Sequence, residues 1–105
     1  MAHIIPPTVG RKVWFRPNGV NVIGNKVLQV SDDTQALDAT VVCVNDEHNV
    51  NLLVVDHVGV SHAARNIMLL QPGVQAPAAG SCYCEWMPYQ VGQARPQIPA
   101  AGSAS

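Results

Sequence analysis

Between Asp38 and Leu70 the chain reads DATVVCVNDEHNVNLLVVDHVGVSHAARNIMLL, apolar β-forming runs cut twice by short polar turns. Ala39–Val44 and Val50–Val55 flank the polar Asn45–Asn49, the pattern of a β-hairpin. The second break, Asp56-His57-Val58-Gly59, supplies a glycine suited to positive φ. From Val60 to Leu70 the chain is expected to return as a third strand, continuous or bent near Ala63-Ala64. Upstream, Lys12-Val-Trp-Phe-Arg16 predicts a short strand ended by the turn Pro17-Asn18-Gly19. The pattern weakens from Val20 to Gln35, where a strand or wide loop is expected around Gly24-Asn25. Downstream of Leu70, Gln71–Gly80 is a Pro/Gly/Ala connector without a period.

A short-turned antiparallel series of this size closes most economically as a small all-β, SH3-like barrel. The expected layout is an extended N-terminal arm over residues 1–11, one barrel domain over 12–90, and an extended C-terminal tail over 91–105. The paired Pro6-Pro7 keeps the arm out of a sheet interior. Trp14 is a candidate plug for one end of the barrel. Ser81–Gln90 carries three of the five aromatic residues (Tyr83, Trp86, Tyr89), so it is expected to anchor over the barrel or dock a partner.

The two faces of the hairpin carry the main functional hint. Val41 and Cys43 alternate with Val42 and Val44, and Leu52 and Val54 alternate with Leu53 and Val55, so both faces are apolar. A half-exposed antiparallel strand alternates apolar with polar, whereas an apolar run on both sides marks burial on both sides. One face, with Cys43, is expected to be core. The other, Val42, Val44, Leu53 and Val55, is expected to be covered by another subunit or by the chain's own tail. Each such side chain is worth roughly 1.5–3 kcal/mol when buried.

Composition narrows the classes. At 105 residues there is room for one core. A formal charge of −1 gives no basic footprint for nucleic acid and no polybasic run for an anionic membrane. No segment has the length of a membrane span and the N-terminus lacks a signal-peptide pattern, so the expectation is a soluble protein made in the cytoplasm. Charged residues are only 12% against 48% apolar, again suggesting a covered surface.

Candidate chemistry is sparse. Asp56, His57 and His62 cluster around the glycine turn, but their spacing matches no ligand motif, and polar residues at a β-turn are expected to be solvated. Cys82-Tyr-Cys84 has one residue between its thiols where zinc and thioredoxin motifs have two or more. Asp32-Asp33 is ordinary loop chemistry. No nucleophile elbow, phosphate-binding glycine loop or helical His pair occurs, so no catalytic residue, metal or cofactor is expected.

The segments GRKVWFRPNG, QALDATVVCVNDEHNVNLLVVDHVG, LLQPG and CEWMPYQVGQA resemble a family of short, mostly uncharacterised proteins of tailed bacteriophages and prophages. The resemblance spans about Gly10 to Ala94 and is most specific in Cys84-Glu-Trp-Met-Pro-Tyr-Gln90. It implies a phage origin and a compact β fold, and transfers no catalytic residue. Two functional expectations follow. The first is a non-enzymatic virion component, such as a capsid decoration or other small structural subunit, contacting copies of itself or other phage structural proteins in a particle assembled after synthesis in the host bacterial cytoplasm. The second is a non-virion accessory protein that binds a host factor or sequesters a small signalling ligand as an oligomer. In that case Trp14, His57, Arg65, Trp86 and Tyr89 would line the ligand or partner contact.

Overall fold

The computed structural model describes residues 4–32 and 34–94, with side chains through residue 92. Its elements are β1 (Lys12–Arg16), β2 (Val22–Ile23), β3 (Lys26–Val27), β4 (Leu37–Asp46), β5 (Asn49–Val55), β6 (Ser61–Leu70), β7 (Tyr83–Glu85) and α1 (Pro88–Ala94). Five strands close a barrel in the order β1-β4-β5-β6-β7, and β2 and β3 form a separate two-stranded ribbon. The domain is therefore all-β and SH3-like, as the short-turned pattern predicts.

The meander pairs in sequence order, β4 with β5 and β5 with β6, both antiparallel. Closure falls to β7. Its three residues pair antiparallel with β1 through Phe15 and Cys84 and parallel with β6 through Leu69 and Cys84, so neither neighbour is left with an open edge there. Inward positions alternate along each strand: Val13 and Phe15; Leu37, Ala39 and Val41; Val50, Leu52 and Val54; Ala64, Ile67 and Leu69; and Cys84. These residues are the core, joined by Ile5, Leu28 and Trp86.

The turns follow from their residues. Asn18 and Gly19 both have positive φ, and Val20 N–H donates to the Pro17 carbonyl at 2.9 Å, a tight reversal that an Asn-Gly pair adopts at low cost. Asn18 also donates through Nδ2 to the carbonyls of Pro77, Ala78 and Ser81, so one turn residue gathers the period-free connector. Strand β4 runs two residues past the expected Val44, to Asp46, leaving only Glu47-His48 as the reversal.

Three register shifts bend the meander, one of them at Asn45, where Val44 pairs with Val50 but Asp46 with Asn49. Val41 pairs with Leu52 but Cys43 pairs with Asn51, so Val42 is an extra residue in β4. In β6 three steps, Ala64 to Ile67, oppose two in β5, Leu52 to Val50, and Asn66 takes φ 55° to absorb the difference. The bend expected near Ala63-Ala64 thus lies at Arg65-Asn66.

Gln71 ties the open parts of the chain to the barrel. It is 1% exposed, and its Oε1 accepts from the Ile5 amide at 2.9 Å and from Trp86 Nε1 at 3.3 Å. Its Nε2 donates to the carbonyls of Ile5 and Glu47. Part of the N-terminal arm is thereby built into the core: Ile5 is buried, and Gly10 N–H and Arg11 O both bond to Val41. Helix α1 crosses the expected boundary at residue 90; the Gln90 side chain accepts from the Met87 amide and donates to the Lys12 carbonyl. The remainder of the expected tail, 95–105, lies outside the described residues.

Replacing Gln71 with Ala leaves the Ile5, Glu47 and Trp86 groups without their buried partner. The expected destabilisation is about 2–5 kcal/mol, measured by urea unfolding, whereas Val74→Ala at an exposed site on the connector is expected to change stability by less than about 0.5 kcal/mol.

Candidate functional site

The candidate site is the outer face of β4, β5 and β6. In this region Asp38, Thr40 and Val42 of β4 point away from the core, with Asn51, Leu53 and Val55 of β5 and Ser61, Ala63 and Arg65 of β6. Thr40 lies opposite Leu53, and Leu53 opposite Ala63, so Leu53 sits at the centre of the face as the large apolar side chain of its row. Val42 is 50% exposed and Leu53 42%, fractions large enough to offer real area to a partner. Val55 is half-buried between Asp38 and Ser61.

The bulge at Val42 changes two expectations. Cys43 is exposed rather than core, because it and Val42 both oppose Asn51 and the simple alternation breaks there. Val44 pairs with the core residue Val50 instead of continuing the outer face of Val42, and it is exposed because β4 has run to the barrel's end.

Residues proposed from the sequence as ligand contacts are scattered. Trp14 faces outward, opposite Asp38 and Glu85, with the Arg16 guanidinium 5.2 Å from its ring centroid. It is not an end plug, since the inward places of β1 belong to Val13 and Phe15. Trp86 is the aromatic that packs inside, 4% exposed and bonded to Gln71. Arg11 lies 5.7 Å from the Trp86 ring. Tyr89 is 64% exposed on α1, and Arg65 is exposed on β6. Trp86 also walls an open cavity of about 140 Å³ with Leu70, Pro72, Val74, Glu85 and Val91.

The polar groups at the β5–β6 turn are not solvated as expected. Asp56 is 5% exposed and His62 4%, with His62 Nε2 3.0 Å from Asp56 Oδ2. The same carboxylate accepts the amides of Val58 and Val60 through Oδ1 and of Gln29 through Oδ2. Burial by itself would raise the Asp56 pKa, but hydrogen bonds from His62, Val60, Gln29 and Val58 outweigh it and hold the group down at about 2. Gly59, at φ 92°, completes the turn around the carboxylate.

Beside this pair, His57 Nδ1 accepts the Ser31 amide at 3.0 Å, which leaves Nε2 as the protonated nitrogen facing the Ala36 carbonyl at 3.3 Å. Asp56 and His57 thus fasten Gln29, Ser31 and Ala36 to the barrel. His62 Nδ1 is buried without a partner. The signal for this lock was His62 itself: it shares strand parity with Ala64 and so points inward. Among the described residues no group of three or more His, Cys, Asp or Glu is placed to hold a metal ion.

The remaining candidates fit the same picture. Cys84 is buried in the barrel, and burial, with the nearby Cys82 and Glu85, pushes its thiol up to about 12, so it is an unreactive core residue at neutral pH. Asp32 accepts from the Thr34 amide and hydroxyl in a local turn, while Asp33 lies outside the described residues. No family model, curated protein or solved structure matches the chain.

The Asp56 shift gives a pH dependence whose sign is set. Its folded pKa lies below the ordinary 3.8, so its stabilisation is complete above about pH 4 and is lost as pH falls toward 2. Thermal unfolding followed across that window should show a shallower acid limb in Asp56→Asn than in the parent protein. Parallel acid limbs in the two proteins would remove Asp56 from this role.

Proposed function

We propose that this protein is a non-enzymatic structural subunit of a bacteriophage particle, such as a capsid decoration protein, and that it works through protein–protein contacts made by the outer face of β4–β5–β6. The observation that carries the proposal is the pair of large apolar side chains Val42 and Leu53, exposed on adjacent strands of a barrel whose core is already complete without them. Buried groups of the kinds that perform chemistry have structural duties here. Asp56 is occupied by four hydrogen bonds, and Cys84 is a core thiol. The phage assignment rests on the sequence resemblance centred on Cys84–Gln90.

Sequestration of a small signalling ligand is the weaker reading. The cavity beside Trp86, about 140 Å³, is well below the roughly 300–1,000 Å³ usual for ligand sites. The proposed ligand contacts Trp14, His57 and Arg65 are not among the residues that line it.

Quantitative mass spectrometry of particles purified from the encoding phage tests the proposal. The protein is expected at a copy number comparable to a capsid or tail protein, and Leu53→Asp is expected to lower its occupancy by about tenfold or more. Absence from particles, with abundance in infected cells, would overturn it.

A further inference from the structure

The outward residues of the three strands form a three-by-three array centred on Leu53. Along β4 they are Asp38, Thr40 and Val42; along β5, Val55, Leu53 and Asn51; along β6, Ser61, Ala63 and Arg65. Strand pairing sets the rows: Asp38, Val55 and Ser61 form one, Thr40, Leu53 and Ala63 the next. The third holds Val42, Asn51 and Arg65, because Asn51 pairs with Cys43 beside the Val42 bulge and lies across from the Arg65-Asn66 bulge. The acid Asp38 and the base Arg65 therefore occupy opposite corners, while Val42 and Ser61 occupy the other two.

This array is complementary to itself. A two-fold axis lying in the plane of the face, over Leu53, at about 45° to the strands and close to the Val42–Ser61 diagonal, stacks a second copy so that Leu53 meets Leu53. The same operation brings Asp38 over Arg65 of the second copy and Arg65 over its Asp38. Val55 then meets Ala63, and Thr40 meets the amide of Asn51, each twice by symmetry. Strands of the two sheets cross near a right angle, one of the two ways in which sheets pack face to face.

We propose that this face is an isologous homodimer contact, its partner a second copy of the same chain, held by the Leu53 row and oriented by reciprocal Asp38–Arg65 pairs. The inference rests on the reading of this face as a protein contact and names its occupant. The charges are available for the task. Arg65 has no hydrogen bond or ion pair among the described residues. Asp38 has only Lys12 Nζ at 3.0 Å, with both side chains about half exposed, an ion pair of little net strength. An arginine arriving over that carboxylate adds a forked donor, and bringing the two faces together excludes water around it. A two-fold axis along the other diagonal sets Asp38 against Asp38 and Arg65 against Arg65, and axes along or across the strands set each charge against Ser61 or Val42, so this orientation is the one that pairs opposite charges. With strand spacing of about 4.8 Å and a rise of about 3.4 Å per residue, the array covers about 14 × 20 Å, roughly 560 Å² over the two partners, below the size of a stable interface and in the range of a weak, transient one. A contact this small is expected to be weak and concentration-dependent, on the order of 100 µM.

Sedimentation velocity on the full chain from about 10 µM to about 1 mM spans that affinity. The parent protein should move from monomer toward dimer. Asp38→Arg and Arg65→Asp should each weaken dimerisation about tenfold or more, and the two together should restore it to within about threefold of the parent. Circular dichroism and thermal melting establish that each variant remains folded. A parent protein that stays monomeric throughout, or a double variant as weak as the single ones, would overturn the inference. Failure here with Leu53-dependent incorporation into particles would leave the structural-subunit reading standing. Dimerisation of a protein absent from particles would do the reverse.

Discussion

Closure of the barrel by β7 is the constraint on which the rest of the structure depends. Tyr83, Cys84 and Glu85 must lie between β1 and β6, with Cys84 facing the core from between Phe15 and Leu69. Twelve residues separate the end of β6 from this short strand, and nothing periodic in them guides the return. Two polar side chains guide it instead. Gln71 fixes the start of the excursion and, through Trp86, its end; Asn18 gathers the middle with bonds to three carbonyls. Loop-closure entropy opposes such a return, so the anchoring bonds are where a small chain recovers it.

The same economy explains the buried polar groups. A domain this small buries proportionately little surface, and an irregular segment such as residues 29–31 has no strand ladder to satisfy its backbone. Asp56 and His57 hold that segment by backbone amides and the Gln29 carbonyl, in place of a strand ladder. A carboxylate taken out of water is costly unless its lone pairs are filled, and four donors fill those of Asp56. The residues that most resemble a catalytic cluster in the sequence are thereby committed to holding the fold.

The proposed role places the working surface on the outer face of the meander. Its apolar area is small, and its charged residues stand at the margins, where they orient a partner more than they add affinity. Contacts of this size gain strength by repetition, which suits a subunit used many times in a particle.

Much of the fold was legible in the sequence. Alternation, β-branched content and the turn residues Pro17-Asn18-Gly19 and Asp56–Gly59 place β1, β4, β5 and β6, because these signals act within a few residues. The doubly apolar hairpin likewise marks Val42, Leu53 and Val55 as outward and unusual for exposed positions. Which residues share a face was decided only in the tertiary structure. The bulges at Val42 and Asn66 arise from pairing between strands, and one extra residue reverses the parity of the residues that follow it, sending Cys43 out and Val44 to the side of Val50. Gln71 gave no local sign of being a hub, since its partners Ile5, Glu47 and Trp86 are far away in the chain. Periodicity is a short-range property, whereas register, burial of a single polar side chain and the self-complementarity of a face are set by residues that meet only when the barrel closes.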